Sequence, residues 1–341
     1  MNVTAAIFGC AGPALTRAEQ AFFSDVRPWG FILFARNIQT PDQLRSLTRS
    51  LREAVGRPDA PILVDQEGGR VQRLGPPHWR RYPSARSFGA LATNDPLQRR
   101  ELVRLCGRLI AHDLLAVGIT VDCAPVLDTD TLGAHDVISD RAFGRAPEDV
   151  ASLGRAMAEG LIAGGVLPVI KHIPGQGRAV VDSHHECPIV EADFSDLDTR
   201  DFIPFRVLSD MPVAMTAHVI YATVDRERPA TTSRRVIRKV IRRAIGFEGL
   251  LMSDDLSMKA LDGDLQSRAR AAQSAGCDVV LHCNADMAEM RAVAAGAGIL
   301  KGRAKARAIA ALARVARAPE PFDVASGRAR LDAAFEGRYA A

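Results

Sequence analysis

Pro61-Ile62-Leu63-Val64-Asp65-Gln66-Glu67-Gly68-Gly69-Arg70 sets the pattern of the whole chain. Four apolar residues run without polar alternation, as in a short strand covered on both faces. The run then breaks into charged and glycine-rich sequence, as where a strand ends in a loop that carries chemistry. The same arrangement recurs along the chain. Val3–Gly9, Gly30–Phe34, Ile119–Cys123, Leu167–Ile170, Val213–Thr216, Leu250–Met252 and Asp278–Leu281 join Pro61–Val64 to make eight candidate strands.

Helix signals fill the intervals. Thr16 with Glu19 forms a capping box ahead of 21–26, and Thr40-Pro41 with Gln43 opens the next helix. Leu102, Leu105, Cys106, Leu109 and Ile110 make an apolar stripe at helical spacing that Val117-Gly118 ends. Helices are also expected over Pro147–Ala163, Ser233–Ile245 and Leu265–Ala275, each followed by glycine. Eight βα units predict an α/β chain folded as a single (β/α)8 TIM-type barrel, since an open doubly wound sheet usually has fewer strands.

At 341 residues the chain exceeds the ~250 of a minimal barrel. The surplus is assigned to long loops at 66–94 and 173–199 and to a C-terminal helical extension after about Asn284, so that 1–341 forms one catalytic domain. Apolar residues are 47% and charged residues 25%, which excludes wholesale disorder. Net charge is +4, from 44 basic against 40 acidic residues, too mild to demand a polyanionic partner. The basic runs Arg234–Arg243 and Lys301–Arg307 read as solvated helix faces, and neither nucleic acid nor membrane is expected as a partner. No apolar run approaches the ~20 residues of a membrane span, and the start at Met1 lacks a secretory pattern, so a cytoplasmic monomer is expected. None of the six cysteines forms a C-x-x-C pair, and nothing in their spacing calls for disulfides.

The strand ends are polar. Asp65, Asp122, Asp128, Lys171, His172, His218, Asp254, Asp255 and His282 follow the apolar runs, and together they converge on one end of a barrel. Paired histidines on the first strand and the H-E-x-x-H spacing are absent, so no metal or other cofactor is expected. Carboxylate and imidazole with flanking cations suit sugar chemistry, where hydroxyls are gripped, one carboxylate attacks and one group gives a proton. Trp79 and Tyr82, in the long third loop, either stack on a sugar ring or pack beneath that loop.

Three segments carry a family resemblance. Lys171-His-Ile-Pro-Gly-Gln-Gly-Arg-Ala-Val-Val-Asp182-Ser-His184 resembles the K-H-F-P-G-H-G-x-x-x-x-D-S-H signature of glycoside hydrolase family 3. Leu251-Met-Ser-Asp254-Asp-Leu-Ser-Met258 resembles its nucleophile segment, and Val64–Arg73 its sugar-binding segment. The D-x-H element and the single-barrel length resemble the bacterial β-N-acetylhexosaminidase branch. Gln176 and Arg178 depart from the pattern, where a second His and an Asp are usual. The resemblance implies Asp254 as nucleophile and His184 as general acid/base oriented by Asp182, where residue type alone leaves His185 an equal rival. It implies Asp65, Arg73, Arg141, Lys171 and His172 as ligands of sugar hydroxyls. The implied activity is retaining removal of terminal N-acetylglucosamine from 1,6-anhydro-muropeptide fragments in cell-wall recycling. Its alternatives are a phosphorylase of the same family, a metal-dependent barrel hydrolase, or a protein that binds such fragments without cleaving them. Adjacent strand residues face opposite ways, so one of Asp254 and Asp255 is expected in the site and the other is expected to cap the next helix.

Overall fold

A computed structural model describes residues 2–91, 95–131, 138–183 and 185–339. Eight parallel strands close into a barrel: β1 (Thr4–Phe8), β2 (Pro28–Leu33), β3 (Ile62–Val64), β4 (Val121–Asp122), β5 (Leu167–Ile173), β6 (Val213–Thr216), β7 (Leu250–Asp255) and β8 (Val279–His282). Each strand pairs with its neighbours in sequence, and β1 closes the ring on β8. This is the (β/α)8 barrel that the apolar runs predict. β4 is shorter than Ile119–Cys123, and Pro125, which has no N–H for the ladder, follows soon after it. β5 and β7 run past their apolar residues into the polar ones, through Ile173 and Asp255.

The strands have two buried faces. Ala5, Ile7, Leu63, Val121, Cys123, Leu167, Val169, Val213, Met215, Leu250, Met252, Val279 and Leu281 fill the lumen. The alternate residues, such as Ala6, Phe8, Ile62, Val64, Ile170, Ala214 and Leu251, pack outward against helices. That is why the strands read as continuous apolar runs. Leu300, Ala308 and Ala311 join the lumen cluster, so helix Gly302–Ala313 caps the N-terminal end of the barrel.

The caps form as expected. Thr16 Oγ1 accepts the Glu19 N–H at 3.1 Å, and Glu19 Oε2 accepts the Thr16 N–H at 2.9 Å. Helices Pro147–Ala163 and Leu265–Ala275 have their predicted bounds. The two long loops are not structureless. The first holds a hairpin of Gln66–Gly68 with Val71–Gln72 and a short helix Ala85–Gly89. The second returns as Ile189–Val190, which pairs with Ile220–Tyr221 of the loop after β6. Trp79 and Tyr82 are buried, and Tyr82 Oη donates to Asp113 Oδ2 at 2.6 Å, so both pack beneath the loop. All six cysteines are free thiols.

Candidate active site

The C-terminal ends of the strands surround a cleft of about 360 Å³. Asp65, Arg73, Arg141, Lys171, His172 and Asp254, six of the residues singled out from the sequence, all line it. Its size suits one small ligand rather than a polymer.

The third loop places Asp65 and Arg73. The buried Gln66 side chain accepts the N–H groups of Arg73 and Leu74, both at 3.0 Å, and donates to the Leu74 carbonyl at 2.9 Å. This folds the hairpin so that Arg73 Nη2 returns to Asp65 Oδ2 at 3.2 Å, with its guanidinium over the Phe34 ring. Gly68 turns with φ of +88°, and a Cβ there would lie 2.3 Å from the Pro83 carbonyl oxygen. Only glycine fits the turn.

Lys171 is 2% exposed, and its Nζ lies 2.9 Å from Asp65 Oδ1 and 2.7 Å from Glu67 Oε1. Arg141 grips Glu67 with two hydrogen bonds of 2.8 Å. The chain of charge runs Arg73, Asp65, Lys171, Glu67, Arg141. Burial works against both carboxylates, but Lys171 and Arg73 outweigh it at Asp65 and hold its pKa well below the usual range. Arg141 and Lys171 do the same at Glu67, whose pKa falls to about 2. Burial likewise opposes the charge on Lys171, but the two carboxylates keep its pKa above that of a free lysine.

His172 Nδ1 lies 2.7 Å from Oδ2 of the fully buried Asp128, whose Oδ1 accepts the Gln176 N–H at 2.7 Å. A carboxylate at Nδ1 places the ring proton there and fixes the orientation of the imidazole. Lys171 and His172 are adjacent yet both line the cleft, because the register of β5 against β6 shifts between Lys171 and Ile173.

The same device corrects the expectation for the acidic pair. Asp254 and Asp255 both line the cleft, since the register of β7 against β8 shifts between Met252 and Asp255. Their roles are nevertheless distinct. Asp255 Oδ1 accepts the N–H groups of Ser257 and Cys283, both at 3.1 Å, and Oδ2 accepts the Ser257 hydroxyl at 2.5 Å. Among the described residues, Asp254 accepts one hydrogen bond, from the Asp255 N–H at 2.8 Å. Its carboxylate is left facing the cleft.

The two departures from the family pattern brace the loop after β5. Gln176 is buried, with its N–H on Asp128 and its amide 3.2 Å from the Ser183 hydroxyl. Arg178 donates to the buried Asp201 at 2.8 Å. Ser183 lines the cleft, while Asp182 turns the chain through its carbonyl, which accepts from His185 and Glu186. His184 lies outside the described residues.

Sequence reasoning missed the role of Glu67, and it named Asp128 and His218 as strand-end residues without their partners. Glu67 stands two residues beyond Asp65, a spacing that puts both on one face of an extended strand and that signals their shared role. Asp128 was visible as a strand-end acid, but its bond to His172 crosses 44 residues. His218 is fully buried, with Nε2 donating to the Asp255 carbonyl at 2.9 Å and Nδ1 2.7 Å from the Thr231 hydroxyl. It supports the backbone of the acidic pair from beneath. Among the described residues, no group of three His, Cys, Asp or Glu side chains is placed to hold a metal ion.

The chain is similar to known proteins in sequence and in fold. The model of the glycosyl hydrolase family 3 N-terminal domain matches residues 10–318. A β-hexosaminidase of Alkalilimnicola ehrlichii is 44% identical over 282 residues, covering 82% of this chain and 80% of that protein. One from Bordetella avium is 41% identical over 278 residues, covering 80% and 79%. Among solved structures, NagZ from Neisseria gonorrhoeae in complex with N-trifluoroacetyl-D-glucosamine superposes with a TM-score of 0.87 at 33% identity, covering 98% of each chain. With the barrel, the cleft and the acidic pair at the end of β7, these likenesses lead to one conclusion: the chain is a glycoside hydrolase that belongs to glycosyl hydrolase family 3, in the β-hexosaminidase branch that includes NagZ.

Proposed function

We propose that this enzyme removes terminal N-acetylglucosamine from peptidoglycan fragments, with retention of configuration, in cytoplasmic cell-wall recycling. The observation that carries the reading is the contrast between the carboxylates of the cleft. Asp65 and Glu67 are held ionised by Lys171 and the arginines, and Asp255 is occupied by Ser257 and Cys283. Asp254 alone among these four has a carboxylate free of such partners among the described residues. It is the nucleophile. Asp122 and Asp201, whose pKa values burial pushes up, do not line the cleft. The likeness of Asp182-Ser-His184 to the family's D-S-H signature assigns the proton donor to His184, with Asp182 orienting the ring.

Asp254 attacks the anomeric carbon as the bond to the leaving oxygen breaks, and protonated His184 gives its proton to that oxygen. A glycosyl ester of Asp254 forms. Neutral His184 then takes a proton from water, whose oxygen displaces Asp254 from the anomeric carbon. Asp65, Arg73, Arg141, Lys171 and His172, which line the same cleft, hold the sugar hydroxyls. The complex of the Neisseria protein with N-trifluoroacetyl-D-glucosamine supports an N-acylated hexosamine as the sugar. Among the described residues no helix is long and apolar enough to cross a membrane.

The test is incubation with a chromogenic N-acetyl-β-glucosaminide, with and without phosphate. Free β-N-acetylglucosamine at an unchanged rate is expected. A sugar phosphate formed only with phosphate present identifies a phosphorylase, and tight binding without turnover refutes catalysis.

A further inference from the structure

The catalytic face carries a second concavity. Beyond β6 the chain passes through residues 222–228 and enters a helix at Arg234 and Arg235, and these residues line a pocket of about 480 Å³. Arg226, Arg228, Arg234 and Arg235 stand in it against Asp225 and Glu227. Asp225 is spent on the fold: it is buried, Oδ1 accepts the Glu227 N–H at 3.1 Å, and Oδ2 accepts the Ser233 hydroxyl at 2.6 Å. Arg226 lies 3.5 Å from Glu191, with both side chains mostly exposed. Among the described residues, Arg228, Arg234 and Arg235 have no ion-pair partner.

Asp225 and Glu227 offset only part of the charge of the four guanidinium groups, and an anion placed among them offsets more. The pocket is also preformed. Ile220 and Tyr221 pair in register with Ile189 and Val190, and Tyr221 Oη donates to the Gly175 carbonyl at 2.7 Å. Ser233 accepts the Val236 N–H and caps the helix. The wall of the pocket is thereby tied to the same loop that carries Asp182.

None of the pocket's residues lines the sugar cleft. Both openings lie on the C-terminal side of the barrel, because β6 runs toward that side and the helix starts there. A cleft that encloses a terminal sugar leaves the aglycone as the part of the substrate that projects toward the rim. We propose that this arginine pocket binds carboxylate groups on the aglycone of the substrate. The proposal rests on the hydrolase reading above and adds to it the charge of the preferred leaving group.

Two N-acetyl-β-glucosaminides test it, one with a neutral aromatic aglycone and one whose aglycone bears a dicarboxylic dipeptide. The parent enzyme is expected to show the higher kcat/KM on the charged substrate at low salt, with the advantage fading as salt screens it. The Arg234→Gln/Arg235→Gln enzyme should lose roughly tenfold on the charged substrate and less than about twofold on the neutral one, mostly in KM. The Arg226→Gln/Arg228→Gln enzyme is the second, independent variant and should behave alike. Calorimetry with the matching non-hydrolysable thioglycosides reads the same preference without turnover. Equal affinity of the parent for the two thioglycosides overturns the proposal, as does an equal loss on both substrates in the variants. A binding preference without hydrolysis of either glycoside overturns the hydrolase reading and leaves the anion pocket standing.

Discussion

Replacing Lys171 by methionine tests the charge network directly. The ammonium sits 2.9 Å from Asp65 and 2.7 Å from Glu67, each about 6 kcal/mol of attraction at an effective dielectric constant near 20. Burying three charges takes back most of that sum, so the pair attractions are not the net effect. Lys171→Met leaves two buried carboxylates short of a cation, and breaking a buried pair in this way costs about 3–5 kcal/mol near neutral pH. The pH dependence reverses as well. In the parent, Glu67 has a depressed pKa, so its contribution is present above the ordinary carboxylate range and is lost as pH falls toward about 2. In the variant, burial is no longer opposed by Lys171, and the carboxyl pKa values rise. A group with a raised folded pKa stabilises at low pH and loses that contribution as pH climbs through it. Urea unfolding at about pH 7 and about pH 5 reads both effects: the parent should change little between them, and Lys171→Met should be clearly more stable at the lower pH. A variant as stable as the parent near neutrality, or with an unchanged pH profile, refutes the network as described.

Asp254→Ala should abolish turnover of every glycoside, whereas His184→Ala should be harmed least on an activated aryl glycoside, whose departure needs little protonation. Steady-state rates on a good and a poor leaving group decide this, and an inverted product by NMR, or substantial activity in Asp254→Ala, defeats the assignment. Gly177→Ala puts a Cβ 1.9 Å from the Thr129 carbonyl oxygen, so the loop after β5 must move. A stability loss of about 1–3 kcal/mol with a fall in kcat is expected from unfolding and kinetic measurements, and a variant unchanged in both contradicts the packing described. His218→Leu removes the donor to the Asp255 carbonyl and one of the partners of the Thr231 hydroxyl. It should lower kcat by about tenfold while moving KM less, and a change confined to KM argues against support of the acidic pair.

The barrel was legible along the chain because both faces of each strand are buried. Lumen residues such as Ile7, Leu63 and Val169 and outward residues such as Phe8, Val64 and Ile170 are all apolar, so each strand stands out as a run. Glycines and caps between the runs, from Thr16 and Glu19 to Gly276, then marked the helices by local geometry alone. The candidate site was legible for a related reason. Strand-end residues follow their runs directly, and parallel topology brings every such end to one face.

Tertiary structure decided what each of those residues does. Asp254 and Asp255 are chemically alike and adjacent, and alternation along a strand assigns one to each side. A register shift against β8 brings both to the cleft, and contacts from Ser257 and Cys283 make Asp255 a structural acceptor. Asp65 and Glu67 are held ionised because Lys171, more than 100 residues away, is folded against both, with Arg73 beside Asp65 and Arg141 beside Glu67. The arginine pocket beyond β6 likewise exists because the fold gathers Arg226, Arg228, Arg234 and Arg235 around one concavity. Local periodicity reports which face a residue takes, but charge state and availability depend on partners that the closed barrel brings within hydrogen-bonding distance.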